Sequence, residues 1–255
     1  MPNETITLLV PNYNNGPYLA ECLDSLLAQT CERWRCIILD DASTDASAEI
    51  YPRYAGDPRI RVEHNPENLG LIGSLRRLIS MAETDLIGLL DPDDALVSHA
   101  IETMLEAHES HQDAGFIYSN FMYCDETLER LRPGFSRPIP PGRTSLDVDC
   151  ISHFKTFRKS VYERTEGYDE AILYAEDKDL VLKMEEAAPV HFVDAELYRY
   201  RLLASSQSHG PKRAIGKSNF ALARRNARRR RAAAGLPMSP KQRLLRVLDG
   251  LLHRD

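Results

Sequence analysis

The first hundred residues repeat one unit: a short apolar run, a polar stop at its carboxyl end, and a stretch with helical spacing. Residues 6–11 (ITLLVP) run into Asn12, Tyr13 and Asn14, and Pro17 then opens a segment with Leu19, Cys22, Leu23, Leu26 and Leu27 at helical spacing. Residues 34–39 (WRCIIL) end at Asp40 and Asp41, with Asp45 placed to cap a helix through Ile50 and Tyr54. Residues 60–63 read as a third strand, residues 69–81 as a helix through Leu71, Leu75, Leu78 and Ile79, and residues 86–90 (LIGLL) as a fourth strand. Short strands alternating with helices predict an α/β fold: a mostly parallel, Rossmann-like sheet with helices on both faces. In such sheets ligands bind outside the carboxyl ends of the strands. Three polar clusters fall there, Asn12 to Asn14, Asp40 with Asp41, and Asp91, Asp93 and Asp94, so one crevice can collect all three.

The second half is less regular. Residues 115–123 read as a strand, residues 132–149 as a loop rich in proline (Pro133, Pro138, Pro140, Pro141), and order resumes over 151–161. Residues 176–186 are expected to be helical and residues 190–193 and 197–202 to be two strands. A basic helix is predicted over 214–234, broken by Gly235 and Pro237. A last helix over 240–252 follows, with Leu244, Leu245, Val247, Leu248, Leu251 and Leu252 as an apolar stripe beside Lys241, Arg243 and Arg246.

Charge divides the chain at the same point. The net charge of −6 combines a tail from Pro211 onward, with 13 Lys and Arg against Asp249 and Asp255, and a body at −17. Such a tail suits an anionic membrane surface, the chain's own acidic body or a second subunit of a homo-oligomer. Nucleic acid is excluded as a partner, because the body repels a polyanion and no aromatic residue interleaves with Arg224, Arg225 and Arg228 to Arg231. The five cysteines show no CxxC spacing and no neighbouring His, which predicts reduced thiols rather than disulfides or zinc. With no apolar run of membrane-spanning length and no basic flank or cleavage site at the start, a cytoplasmic protein is expected, at most peripheral on the inner face of the membrane.

In LLDPDDAL a buried strand ends in carboxylates at Asp91 and Asp93, two apart and able to face one small volume. Unpaired they repel, whereas Mg²⁺ or Mn²⁺ removes that cost by taking carboxylate and phosphate oxygens. The alternative is a turn at Pro92 and Asp93 in which Asp94 caps a helix near Val97. Asp40 and Asp41 leave the same choice open: a capped turn, or a carboxylate presented to a nucleobase N–H. Tyr13 can pack under its loop or stack on a base, and Glu176 with Asp177 can be a solvated first helical turn.

Together, VPNYN, LDDASTD, NLG, LLDPDD and AEDKDL resemble, in order and spacing over residues 5–208, the motif series of family 2 glycosyltransferases. The resemblance implies a GT-A fold over residues 1–210, with a nucleotide-binding half (1–95) and an acceptor half (96–210), followed by a basic amphipathic helical extension over 211–255. It also implies a nucleotide-sugar donor, with UDP the default by family frequency alone, a divalent metal (Mn²⁺ or Mg²⁺), and inversion at the anomeric carbon during transfer to a glycan or lipid-linked acceptor. Carried over, Pro11, Asn12, Tyr13, Asn14, Asp40 and Asp41 line the nucleobase side, and Asn68 and Gly70 supply the NxG turn. Asp93 becomes the main metal ligand and Asp91 approaches ribose or metal, while Asp177, next to Glu176, is the general base.

Two stretches depart from the family pattern. NLGLIGSLRRLI offers Arg76 or Arg77 to the diphosphate only from a shifted position, and in YRYRLLASSQSH Leu203 stands where the family has His, leaving Arg201, Ser206 and Ser208 as phosphate-side candidates and His209 several positions late. Two other readings stay open. A nucleotidyltransferase acting on a sugar phosphate shares the sheet and metal but needs a Gly-rich basic loop that PNYNNGPYL lacks, and an inactive nucleotide-binding or membrane-docked scaffold has the missing His in its favour.

Overall fold

The computed structural model describes residues 4–203 and 211–252. Strand β1 (Ile6–Asn12) pairs in parallel with β2 (Trp34–Asp40), from Ile6 opposite Trp34 to Asn12 opposite Asp40, and with β4 (Leu86–Leu89) on its other side. Strand β3 (Ile60–His64) extends this parallel half beyond β2. In-register parallel pairing brings the carboxyl ends of β1, β2 and β4 side by side, which is why the three polar clusters meet.

Successive residues of these strands point to opposite faces. Leu8, Val10, Cys36 and Ile38 pack on one side with Leu19, Leu23 and Leu26 of α1 (Gly16–Leu27) and with Met104 and Leu105 of α4 (Ala100–Ser110). Leu9, Ile37 and Leu39 pack on the other with Ile72, Leu75 and Leu78 of α3 (Gly70–Met81). Burial on both faces explains why the strands read as unbroken apolar runs. Gly88 in β4 is required by close packing, since a Cβ there would lie 2.7 Å from Leu8 Cδ1.

The rest of the sheet is mixed. Strand β8 (Lys155–Arg158) lies antiparallel between β4 and β6 (Phe116–Cys124), which pairs in parallel with β9 (Val190–Arg201). The two-residue strand β5 (Ala95–Leu96) closes the far edge on β9, and β7 (Arg130–Pro133) pairs with β6 alone. The two strands expected over 190–193 and 197–202 are therefore one, whose pairing skips from Ser119–Val193 to Asn120–Glu196. This irregularity puts Asp194 and Ala195 out of register and breaks the apolar pattern.

Other expectations need adjustment. The helix after Asp45 is a single turn, α2 (Ser47–Ile50), continued as a 3₁₀ turn through Pro52, and Asp45 accepts the Ser47 N–H at 2.9 Å and the Gly16 N–H at 2.8 Å. The order expected over 151–161 resolves into β8 and the short helix α5 (Lys159–Tyr162). Helix α4 starts at Ala100, so Asp94 caps no helix.

The basic tail forms α7 (Pro211–Ala233) and α8 (Pro240–Leu252). Ala223 and Ala227 of α7 pack with Leu146, Ile172, Ala175 and with Leu182 of α6 (Glu176–Ala187). Its arginines face acids: Arg230 meets Glu186 at 2.6 Å, Arg231 meets Glu185 at 2.6 Å, and Arg228 meets Asp249 of α8 at 2.8 Å. Docking on the chain's own acidic body, one of the alternatives for the tail, is observed for α7. Among the described residues no helix is long and apolar enough to cross a membrane.

Candidate active site

At the ends of β1 and β2 the polar side chains hold one another. The fully buried Asn12 donates through Nδ2 to Tyr51 Oη at 2.8 Å, and Tyr51 donates to Asp40 Oδ1 at 2.7 Å. Burial would raise the Asp40 carboxyl, but hydrogen bonds from Ser43, Tyr51 and His64 hold it below its ordinary value. Asp41 Oδ1 accepts from Asn65 Nδ2 at 2.6 Å and from the Leu69 N–H at 2.8 Å, so the strand end grips the turn in which Asn68 Oδ1 accepts the Gly70 N–H at 2.9 Å. Gly70 has φ +73°, the left-handed region that only glycine enters cheaply. Pro11 is buried, Asn14 Oδ1 accepts the Thr44 N–H at 2.8 Å, and Tyr13, just past the end of β1, is 47% exposed.

At the end of β4 the chain turns sharply, the Asp94 N–H donating to the Asp91 carbonyl at 3.1 Å. The Asp91 N–H donates to Tyr198 Oη at 3.1 Å, which in turn donates to Asp91 Oδ2 at 3.4 Å. Asp94 is buried and accepts the Arg201 N–H on Oδ1 at 2.7 Å. Burial and the charge of Asp91 push Asp93 up to about 6. Burial also raises Asp91 against the pull of Lys155, and raises Asp94 well above the carboxylate range, reinforced by Asp93 and Asp91.

Arg201 lies beneath this turn rather than in the crevice. At 1% exposure it donates from Nε to the Asp93 carbonyl at 2.6 Å, from one terminal nitrogen to the Glu126 carbonyl and from the other to Glu21 Oε2 at 2.6 Å, with the guanidinium over the Tyr18 ring. The other basic candidates are also engaged: Arg76 pairs with Glu170 at 2.6 Å on the surface, and Arg77 donates to Asn65 Oδ1 and the His64 carbonyl. Ser206, Ser208 and His209 lie outside the described residues.

Glu176 and Asp177 open α6, and the structure brings them into the electrostatic range of Asp91. Asp177 Oδ2 sits 3.3 Å from the buried Lys155 Nζ, and its Oδ1 accepts the Lys178 N–H at 2.7 Å. Burial would raise Asp177, yet the charges of Lys155 and Lys178 hold its carboxyl well below the carboxylate range. For Glu176 burial and the charge of Asp177 outweigh the pull of Lys155 and push it up to about 7. Sequence reasoning missed Lys155, Tyr198 and His153, which stacks on Tyr198 with ring centroids 4.5 Å apart. A lysine in HFKTFR reads as a surface residue, and only the insertion of β8 beside β4 makes it the counter-ion.

The carboxylates suit a hard divalent cation. Asp91 and Asp93 are raised by burial and share one turn, and a cation would relieve their repulsion. Among the described residues no group of three or more His, Cys, Asp or Glu forms a closed cage. Two carboxylates completed by phosphate oxygens and water is the pattern of Mg²⁺ beside a nucleotide.

The sequence model of the family described as glycosyl transferase family 2 matches residues 7–165. Chondroitin synthase of Escherichia coli is 28% identical over 84% of this chain and 31% of its own length, and hyaluronan synthase of Pasteurella multocida 28% identical over 84% and 22%. The chain thus spans less than a third of these relatives. Among solved structures, S. aureus TarS residues 1–349 in complex with UDP-GlcNAc superimposes with a TM-score of 0.71 at 18% identity, covering 88% of this chain and 65% of that one, and shares the fold.

Proposed function

The chain belongs to glycosyl transferase family 2, with that family's GT-A fold, and from this premise we propose that it moves a sugar from a UDP-linked donor to a hydroxyl of a glycan or lipid-linked acceptor, inverting the anomeric carbon. The observation that carries the reading is that a pair of raised carboxylates, Asp91 and Asp93, at the carboxyl end of β4 lies within electrostatic range of one depressed carboxylate, Asp177, held by Lys155 at 3.3 Å. Relatives named as chondroitin and hyaluronan synthases, and a fold neighbour solved with UDP-GlcNAc, support polysaccharide chemistry.

In this reading residues 1–95 hold the nucleotide. Tyr13 stacks on the base, and Asp41, with Oδ1 occupied by Asn65 and Leu69, turns its second oxygen to a ring N–H. Asp93 and Asp91 are the residues that would hold Mn²⁺ or Mg²⁺, and the ion would supply positive charge against the leaving diphosphate. Arg201 fixes the turn that aims these carboxylates, and Tyr198 sets the Asp91 rotamer. From the 96–210 half, Asp177, kept ionised by Lys155, takes the proton of the acceptor hydroxyl as that oxygen attacks the anomeric carbon from the face opposite the diphosphate. Glu176, at about 7, is the second reading for the base, because a proton acceptor is most effective with a pKa near the working pH.

The test is release of free nucleotide from a panel of nucleotide sugars, with Mn²⁺ and again after chelation. Turnover of one UDP-sugar, lost on chelation, is expected. No turnover with any donor, alongside retained nucleotide binding, would refute the enzyme reading.

A further inference from the structure

The two tail helices differ in what they do with their charges. The arginines of α7 closest to the body are neutralised by Glu185, Glu186 and Asp249, whereas Lys241, Arg243 and Arg246 of α8 are exposed and, among the described residues, have no carboxylate partner. Helix α8 is fixed to the body along one face: Gln242 Nε2 donates to the Leu146 carbonyl at 3.0 Å, Asp249 meets Arg228, and Ser239 Oγ, just before the helix, donates to Asp147 Oδ1 at 2.6 Å.

The opposite face is apolar and open. Leu244, Val247 and Leu248 are 61%, 53% and 42% exposed. At 100° per residue they form one stripe turned away from Gln242 and Asp249, with Lys241 on one border, Arg243 on the other and Arg246 beyond it. An exposed apolar stripe bordered on both sides by unpaired cations matches a surface whose interior is hydrocarbon and whose rim is anionic.

We propose that α8 is a docking helix for an anionic lipid surface, with Leu244, Val247 and Leu248 entering the acyl boundary and Lys241, Arg243 and Arg246 meeting lipid phosphates. The body, at −17, is repelled by such a surface, so contact through α8 also orients the molecule. The same helix is tied to residues 146–147, and the adjacent Asp149 pairs with Lys178 at 2.7 Å beside the candidate base, so docking would hold the acceptor half near the lipid. The inference stands independently of which sugar is moved.

The experiment is flotation of the full chain with vesicles of phosphatidylcholine alone and with phosphatidylglycerol replacing roughly one lipid in four. Binding to the anionic vesicles only, weakened by salt, is expected. At about fivefold in partition per basic residue, Lys241→Gln, Arg243→Gln and Arg246→Gln together lower partition by about 100-fold. Leu244→Ser, Val247→Ser and Leu248→Ser together abolish it, and since all six side chains are exposed both variants should keep the native melting temperature. No flotation of the native chain, or flotation that survives either triple variant, would overturn the proposal. So would a concentration-dependent dimer that the serine variant dissolves without any vesicle binding, which assigns the stripe to a second copy of the chain.

Discussion

Replacing Asp177 with Asn separates proton abstraction from donor binding, because none of its hydrogen bonds reaches the DPDD turn. Its carboxylate is held by Lys155 Nζ at 3.3 Å and by the Lys178 N–H at 2.7 Å. Asn is isosteric and keeps one acceptor oxygen, enough for the Lys178 N–H but not for Lys155 as well, so the helix start survives while the charge, the basicity and the Lys155 hydrogen bond go. Loss of a general base is expected to lower kcat by roughly 10²–10⁴-fold, about 3–5 kcal/mol of barrier. Lys155, only 7% exposed, loses a charged partner, but solvent reaches the 38%-exposed Asp177 side chain, so the stability cost should stay near 1–2 kcal/mol, a fall of about 3–6 °C in Tm. The donor Kd, measured by calorimetry with Mn²⁺, should change less than about threefold, roughly half a kcal/mol.

The pH profile decides between the two acids of α6. A base acts deprotonated, so the rate is lost as pH falls through its pKa. At saturating donor and Mn²⁺, conditions that keep Asp91 and Asp93 ionised, a depressed Asp177 base should leave kcat flat from about pH 8 down to about pH 5, whereas a Glu176 base, at about 7, would show an acid limb near neutrality. Asp177→Asn transfer within about fivefold of native, or an acid limb near 7 removed by Glu176→Gln, would refute the assignment.

Arg201→Met should destabilise more than any surface arginine, since it strips donors from the Asp93 and Glu126 carbonyls beneath the turn. About 3 kcal/mol, or about 6–12 °C in Tm, is expected by calorimetry, with a raised donor KM, and a shift of only a degree or two would show that the turn holds itself. His108 is buried, contacts Thr156 Oγ1 at 2.9 Å, and is pushed by burial down to about 3 from an ordinary 6.5. The unfolded chain therefore binds the proton first. Stability should fall as pH drops below about 6.5, by about 2 kcal/mol at pH 5 from this group alone. Urea midpoints of native and His108→Met should converge over that range, and parallel pH dependences would refute the account.

The sequence by itself determined the parallel half of the sheet and where its crevice opens, because residues 6–11, 34–39 and 86–90 are apolar on both faces and end in polar clusters. That pattern is local and survives in one dimension. It also determined the carboxylates as a set, since DPDD and ED are short motifs with direct chemical meaning. Which of them are held ionised was decided only by tertiary structure: a lysine 22 residues away in sequence hydrogen-bonds Asp177 and depresses it, whereas for Glu176 burial and the Asp177 charge outweigh the pull of the same lysine. Arg201, similarly, lies beside the DPDD turn in space yet more than a hundred residues from it in sequence, and is buried there as a support. The tail repeats the lesson, its arginines looking alike in the sequence while folding pairs Arg230 and Arg231 of α7 with acids of the body and leaves Arg243 and Arg246 of α8 exposed. Burial and counter-ions depend on contacts between distant segments, and no local pattern of residues encodes them.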